Sequence, residues 1–121
     1  MAKILIVDDD PQIRKMLPRI FEGQGHDVEV AENGARGLEV MSSKSIDLVV
    51  SDVLMPVKDG LEMIRDVKRS YPDMKIIAMS GGGSLHKNEY LKFASVMGAQ
   101  KTLSKPIVNT ELIQMVDELL Q

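Results

Sequence analysis

The sequence predicts an α/β domain built on a doubly wound parallel sheet. Five short runs of β-favouring apolar residues alternate along the chain with five stretches whose apolar residues recur at helical spacing. The connections between these runs are short, and such alternation is typical of parallel strands joined by right-handed helical crossovers. No linker, repeat or low-complexity segment interrupts the pattern, so we expect one domain over residues 1–121.

The first strand and helix have clear signals. Residues 3–8 form a continuous apolar run that is too short for a helix and ends in acidic residues. Asp10 is a typical helix N-cap, and Pro11 suits the first helical position. Pro18 lies inside the predicted helix and should kink or loosen it, because proline lacks the amide hydrogen. The helix should end at Gly23 or at the glycine two residues later.

Residues 27–31 alternate between apolar and polar side chains, which predicts an edge strand with one face in water. Asn33 then begins a second helix. The next buried strand is predicted over residues 46–52. Three residues are expected on the inward face of the second helix: Ala35, Leu38 and Met41.

The second half of the chain repeats the same alternation. Asp59 should cap the third helix, and residues 74–79 should form the fourth strand. A fourth helix over about residues 85–97, a short strand over 100–103 and a last helix capped by Asn109 complete the fold. The third helix should bury Met63, Ile64, Val67 and Tyr71. The fifth should bury Leu112, Ile113, Val116, Leu119 and Leu120.

Composition narrows the function classes. The net charge is −3 and no block of Lys and Arg occurs, which weighs against nucleic-acid binding by this chain. The apolar runs are too short for a signal peptide or a membrane span. The absence of cysteine excludes disulfides and thiolate metal sites, and fits a cytoplasmic protein.

Acidic residues follow two of the predicted strands. Asp8 and Asp9 end the first strand, and Asp52 ends the third, so the three carboxylates meet if these strands are neighbours. Clustered carboxylates destabilise a fold unless a cation neutralises them. Hard oxygen ligands without His or Cys favour Mg²⁺, Mn²⁺ or Ca²⁺ over zinc, and Mg²⁺ is the usual ion for phosphoryl chemistry.

Two further polar residues follow the fourth and fifth strands. Ser80 offers a hydroxyl donor after the fourth strand, and Lys105 offers a compact positive charge after the fifth. One cation, one ammonium, one hydroxyl and one free carboxylate together suit a site that accepts a phosphoryl group. The sequence therefore predicts Asp52 as a phosphoryl acceptor.

These motifs, in this order and spacing, resemble the receiver domains of bacterial two-component response regulators over the whole chain, especially the stand-alone, CheY-like type. The motifs are Ile6-Val7-Asp8-Asp9-Asp10, Asp52 through Met55-Pro56 to Asp59-Gly60, Ser80, and Lys105-Pro106. The resemblance implies a flavodoxin-like fold with five parallel strands in the order 2-1-3-4-5, five helices and three α/β/α layers. It also implies a signalling switch rather than an enzyme.

The resemblance assigns roles to individual positions. Asp52 matches the phosphorylated aspartate. Asp9 matches the main acidic ligand of Mg²⁺, with Asp8 assisting and Asp52 completing the acidic set. The backbone carbonyl of Leu54 matches the third protein ligand. Lys105 matches the family's lysine, which contacts the carboxylate and the phosphoryl group.

The resemblance also implies partners. The phosphoryl donor would be a phosphohistidine on a sensor histidine kinase or a histidine phosphotransfer protein. The downstream target would be a protein that binds the face made by the fourth helix, the fifth strand and the fifth helix.

The switch departs from the family pattern at one position. Ser80 matches the hydroxyl residue that moves toward the phosphoryl group, but Thr102 stands where the family commonly has Tyr or Phe. The usual turning of an aromatic ring cannot occur here. We therefore expect the signal to leave the site through Ser80, the glycine loop of residues 81–83 and the fourth helix.

Three alternatives compete with a phosphorylated switch. The first is a receiver-like scaffold that binds partners without phosphorylation, which Thr102 favours and the intact acidic residues oppose. The second is a flavin-binding protein of the flavodoxin kind, in which Asp8, Asp9 and Asp10 would repel the phosphate. The third is a haloacid-dehalogenase-type phosphatase, which needs an Asp where Leu54 stands.

Overall fold

The computed structural model describes residues 2–53, 60–81 and 87–121, apart from the side chains of residues 87, 88 and 90. Strands and helices alternate throughout. In chain order they are β1 (Lys3–Val7), α1 (Pro11–Gly23), β2 (Asp27–Ala31), α2 (Gly34–Ser43), β3 (Leu48–Asp52), α3 (Gly60–Ser70), β4 (Lys75–Ser80), α4 (Lys87–Met97), β5 (Lys101–Ser104) and α5 (Asn109–Leu120).

The five strands form one parallel sheet in the order β2-β1-β3-β4-β5. The predicted fold class and strand order are therefore confirmed. The order reverses direction between β1 and β3, and in open α/β sheets such a switch point is where ligands bind. The register pairs Val7 with Ser51 and Asp52 with Met79, so the carboxyl ends of β1, β3 and β4 lie side by side.

Helices cover both faces of the sheet and bury two hydrophobic cores. On one face, α2, α3 and α4 pack against alternate strand residues such as Leu5 and Val49. On the other face, α1 and α5 pack against the intervening residues such as Ile4 and Val50. Strands buried on both faces need continuous apolar runs, which is why β1, β3 and β4 do not alternate with polar residues.

The helix start signals were partly right. The side chain of Asp10 accepts a hydrogen bond from the amide of Gln12 and caps α1, as predicted. The helix α1 continues through Pro18 to Gly23. The prediction for Asn109 was wrong, because α5 begins at Asn109 itself and its N-cap, Val108, makes no side-chain capping bond. The predicted cap Asp59 lies outside the described residues.

Two inward-facing predictions were also wrong. Ala35 is exposed, and Gly34 and Gly37 instead bring α2 close to the sheet. A Cβ at Gly37 would stand 3.1 Å from a methyl group of Val7, so the absence of a side chain there lets α2 pack closely against the sheet. Tyr71 is 36% exposed, although its hydroxyl donates to the carbonyl of Met41.

The edge position predicted for residues 27–31 is correct, since β2 pairs only with β1 among the described strands. No helix in the described part of the chain is long and apolar enough to cross a lipid bilayer.

Candidate functional site

The candidate site lies at the carboxyl end of the sheet. Asp8 follows β1 directly, Asp52 and Ser80 are the last residues of β3 and β4, and Lys105 follows β5. Because the strands are parallel and adjacent, these four residues reach the same edge. The convergence that the sequence predicted is therefore present for all four.

Three carboxylates form the centre of the site. Asp8, Asp9 and Asp52 each offer an oxygen atom, and these atoms all lie within 4.8 Å of one another. Asp8 is fully buried and Asp52 is 6% exposed, whereas Asp9 is exposed. Such a set suits a hard divalent cation that retains some of its water on the exposed side.

Lys105 supplies the positive charge that the buried carboxylates require. Its Nζ donates to Asp8 Oδ2 at 2.9 Å and to Asp52 Oδ2 at 3.3 Å. Its own amide donates to the carbonyl of Ser80 at 2.7 Å, which fixes the backbone of the lysine to the end of β4. One ammonium thus bridges two carboxylates that would otherwise repel each other.

The environment shifts two pKa values. Burial raises the pKa of Asp8 above its ordinary value of 3.8, although the hydrogen bonds from Lys105 and from the Asp10 amide act in the opposite direction. Burial alone would lower the pKa of Lys105, but its hydrogen bond to Asp8 and the charge of Asp52 raise that pKa above 10.5. The lysine is therefore charged at neutral pH, and Asp8 is the acid that is costly to ionise.

Ser80 is the last residue of β4 and is fully buried. Its hydroxyl has no hydrogen-bond partner within the described parts of the chain. Leaving a buried hydroxyl unpaired costs roughly 1–3 kcal/mol, so such a group calls for an explanation, and a catalytic role is one of the known explanations. Ser80 is thus a hydroxyl available at the edge where the carboxylates and Lys105 meet.

Gly60, the first residue of α3, lies against the backbone at the end of β3. A Cβ at this position would stand 2.1 Å from the carbonyl oxygen of Asp52 and 2.5 Å from the Cα of Val53. Because both atoms belong to the backbone, no side chain fits without moving the end of β3. The first turn of α3 therefore packs directly against the backbone of Asp52.

Arg14 is a site residue that the sequence reasoning missed. Its Nη1 donates to the carbonyl oxygen of Asp8 at 2.9 Å, next to the acidic cluster. The signal in the sequence was a cation near the start of α1, where the helix dipole disfavours positive charge.

The remaining predicted positions divide into two groups. Thr102 lies in β5, pairs with Ala78 of β4 and is half-buried. Gly81 is described, and a Cβ there would meet the Cβ of Lys105 at 2.5 Å. Leu54, the predicted carbonyl ligand, lies outside the described residues, as do residues 82 and 83 of the glycine loop.

Comparisons with known proteins agree with this geometry. Residues 4–117 match the family model described as the response regulator receiver domain. The chain is 33% identical over 120 residues to the transcriptional regulatory protein GlrR of Escherichia coli K12, covering 99% of this chain and 26% of that protein. It thus spans about a quarter of the length of this curated relative.

Solved structures show the same fold at similar identity. A CheY-like receiver domain protein of Methanospirillum hungatei superposes with a TM-score of 0.90 at 31% identity, covering 99% of this chain and 94% of that one. The response regulator TrrA of Thermotoga maritima, solved with Mg²⁺ and BeF, gives a TM-score of 0.86 at 33% identity, covering 98% and 99%.

The family model covers nearly all of the chain, and the acidic cluster lies at the switch point of the sheet. Receiver domains belong to two-component systems, act as signalling switches and are phosphorylated on an aspartate. This chain belongs to the response regulator receiver domain family.

Proposed function

We propose that Asp52 is the phosphorylated aspartate of this receiver domain. The observation that carries the proposal is the shared Lys105 ammonium, which contacts both Asp8 and Asp52 in the acidic cluster. Asp52 is the candidate nucleophile because it ends the central strand β3 and the residue remains 6% exposed, whereas Asp8 is fully buried.

The transfer begins from a phosphohistidine on a sensor histidine kinase or a histidine phosphotransfer protein. An oxygen of the Asp52 carboxylate attacks the phosphorus atom and forms an acyl phosphate. The bond between phosphorus and the imidazole nitrogen breaks, and that nitrogen keeps the electron pair. Lys105 stays within reach of the oxygens of the transferred group and offsets their negative charge.

Asp8, Asp9 and Asp52 would hold Mg²⁺, together with the backbone carbonyl of Leu54 as the resemblance implies. The three carboxylates fit such an ion because their oxygens already lie within 4.8 Å of one another. A bound Mg²⁺ supplies charge neutralisation at the phosphoryl oxygens. The related TrrA was crystallised with Mg²⁺ and BeF, which supports the same use of the cluster here.

Ser80 is the proposed switch residue. Its buried hydroxyl without a partner in the described structure would donate to the phosphoryl group once Asp52 is modified. Because Thr102 carries no aromatic ring, the change would spread through Ser80 and the 81–83 loop to α4.

The proposed output surface is the face made by α4, β5 and α5. Phe93 and Val96 of α4 are 55% and 79% exposed, and Thr102 lines a surface cleft between β5 and α5. Phe93 and Val96 lie one helical turn apart on α4, and contiguous exposed apolar surface is typical of a protein-binding site. We propose a protein target there for this receiver domain, which catalyses only its own phosphotransfer and dephosphorylation.

Phosphorylation by radiolabelled acetyl phosphate with Mg²⁺ tests the acceptor. Wild type should incorporate label, EDTA should prevent incorporation, and Asp52→Asn should remain unlabelled. The matched control is Asp47→Asn, which changes an exposed aspartate just before the same strand and should label normally. Label on Asp52→Asn at the wild-type level would show that another residue is the acceptor.

A Mg²⁺ titration separates this proposal from a non-phosphorylated scaffold. A scaffold has no requirement for a divalent cation, whereas the proposed switch binds Mg²⁺ through its acidic cluster. Calorimetry on the wild-type protein should therefore show one Mg²⁺ site, weakened by Asp9→Asn.

A further inference from the structure

The carboxylates of the loop between β1 and α1 differ in how many hydrogen bonds hold them. Asp8 is fixed through both oxygens, since Oδ1 accepts from the Asp10 amide at 2.9 Å and Oδ2 from Lys105 at 2.9 Å. Asp52 shares the same lysine. Asp9 is exposed, and no side-chain partner is recorded for it within residues 2–53, 60–81 and 87–121. The direction of the Asp9 carboxylate therefore depends on the backbone of the loop.

Arg14 makes a hydrogen bond to that backbone. Its Nη1 donates at 2.9 Å to the carbonyl oxygen of Asp8, which belongs to the planar peptide unit between Asp8 and Asp9. Holding this plane restricts ψ of Asp8 and φ of Asp9, and thereby restricts the direction of the Asp9 Cα–Cβ bond. The hydrogen bond acts on the peptide group that precedes the least supported ligand.

The position of Arg14 on its helix is unfavourable by itself. The amide of Arg14 donates to the carbonyl of Asp10, so the residue lies at the start of α1, and the first turn contains no acidic residue. A positive charge at a helix N-terminus opposes the helix dipole. The hydrogen bond to the Asp8 carbonyl is the contact recorded for its guanidinium within the described residues.

We propose that Arg14 is a positioning residue that orients Asp9 for binding of a divalent cation. The proposal rests on the proposed function, because it takes the acidic cluster to be the Mg²⁺ site. Arg14 acts through the peptide group and does not contact the ion. It is an outer-shell partner, of the kind whose loss typically weakens metal binding by about 10-fold to 100-fold.

If Arg14 acted only through its charge, its removal would change the Mg²⁺ affinity in the opposite direction. A guanidinium beside the cluster repels a cation, so removing its charge would strengthen Mg²⁺ binding. Removing a positioning contact would weaken binding even though the repulsion is lost. The sign of the change in Mg²⁺ affinity therefore separates the two roles.

The test compares Arg14→Gln with Lys15→Gln in isothermal titrations with MgCl₂ alone. Both variants remove one positive charge from the start of α1, but Lys15 is exposed and makes no hydrogen bond or ion pair with the loop in the described part of the chain. We expect Arg14→Gln to raise the Kd for Mg²⁺ about 10-fold and Lys15→Gln to leave it unchanged or lower it slightly. Equal or tighter binding by Arg14→Gln would overturn the proposal.

A second measurement needs no metal. In EDTA, the ¹⁵N order parameters of Asp9 and Asp10 should fall from about 0.85 toward 0.6 in Arg14→Gln, while Val49 in β3 should not change. Unchanged values at Asp9 would contradict the proposal. If Arg14→Gln does not fold, Arg14→Lys decides by the same two readouts, with an intermediate loss expected because an ammonium lacks the planar fork.

The failure of this proposal differs from the failure of the proposed function. If wild type binds no Mg²⁺, the proposed function is wrong, and the order parameters still decide whether Arg14 fixes the loop. If wild type binds Mg²⁺ and Arg14→Gln binds it equally well, only the role of Arg14 is wrong.

Discussion

Lysines lie at both ends of the short strand β5: Lys101 is its first residue and Lys105 follows its last, and each lies close to a carboxylate. Lys101 Nζ stands 2.7 Å from Glu118 Oε2, and Lys105 Nζ stands 2.9 Å from Asp8 Oδ2. The distances are nearly equal, but the surroundings are not. The first pair is 35% and 45% exposed, whereas the second is 19% and 0% exposed.

The difference shows why the distance of an ion pair says little about its energy or its role. Water and salt screen the Lys101–Glu118 pair, so it contributes little to folding. Burial removes that screening from Asp8 and makes its charge costly unless a cation stays beside it. Lys105 also contacts Asp52, so the buried pair belongs to the candidate site, whereas the exposed pair does not.

The largest effect should follow from removing the buried lysine. Lys105→Met keeps the apolar stem but leaves Asp8 and Asp52 without their shared cation. We expect a loss of about 2 kcal/mol in the free energy of unfolding in EDTA, less than for a fully buried pair. Phosphorylation by acetyl phosphate should slow about 100-fold, as for the loss of one charge-stabilising donor.

Lys101→Met is the matched control for this variant. It removes the lysine at the opposite end of β5 from an exposed pair, so both stability and the rate of phosphorylation should stay near wild type. Urea unfolding and label incorporation measure the two effects. If both lysine variants lose the same stability, burial does not separate the two pairs.

The next effect comes from the backbone behind the buried pair. Gly60→Ala places a methyl group against the Asp52 carbonyl and the Val53 Cα, both of which are backbone atoms. We expect destabilisation of about 2 kcal/mol, because the end of β3 must move. Gly23→Ala is the control, since nothing lies within 4 Å of its Cβ, and it should be neutral or slightly stabilising. Thermal unfolding of both variants measures the difference.

The sequence predicted the fold because its signals are local. Continuous apolar runs marked β1, β3 and β4, and polar residues directly after them marked the carboxyl edge, so Asp8, Asp52 and Ser80 could be placed without coordinates. The pattern also predicted Lys105 at that edge. What the pattern could not give is the sharing of one ammonium between two carboxylates, because this depends on distances across four strands.

The errors have physical causes too. Asn109 is a residue type typical of helix N-caps, but α5 begins one residue earlier than predicted, so that Val108 occupies the N-cap position. Ala35 followed helical spacing, yet close packing of α2 selected glycines for the inward face. Arg14 was missed because the sequence shows only a cation near the start of α1, and its hydrogen bond to the Asp8 carbonyl depends on how the preceding loop folds.

The buried acid should give a specific dependence on pH. Burial raises the pKa of Asp8 in the folded protein above its ordinary value of 3.8. The folded state therefore favours protonated Asp8, and this stabilisation is fully present below pH 3.8 and is lost as the pH rises through the folded-state pKa. In EDTA, wild type should gain stability relative to Asp8→Asn as the pH falls from neutral toward 4. Urea unfolding at several pH values measures this difference. A difference that does not change with pH would show that Asp8 ionises in the folded protein as it does in the unfolded chain.

The smallest effect should come from the exposed acid, with the opposite sign. The pKa of Glu118 is lowered from 4.5 by its hydrogen bond to Lys101 and by the charge of that lysine. Its contribution is therefore present above pH 4.5 and is lost as the pH falls through the folded-state pKa. Wild type should lose a little stability relative to Glu118→Gln on acidification, and about 1 M NaCl should abolish the difference because the Debye length is then about 3 Å. The opposite result would be that salt leaves the stability difference between wild type and Glu118→Gln unchanged but abolishes the difference between wild type and Asp8→Asn. In that case salt screens the buried pair and not the exposed pair, and the proposed contrast is wrong.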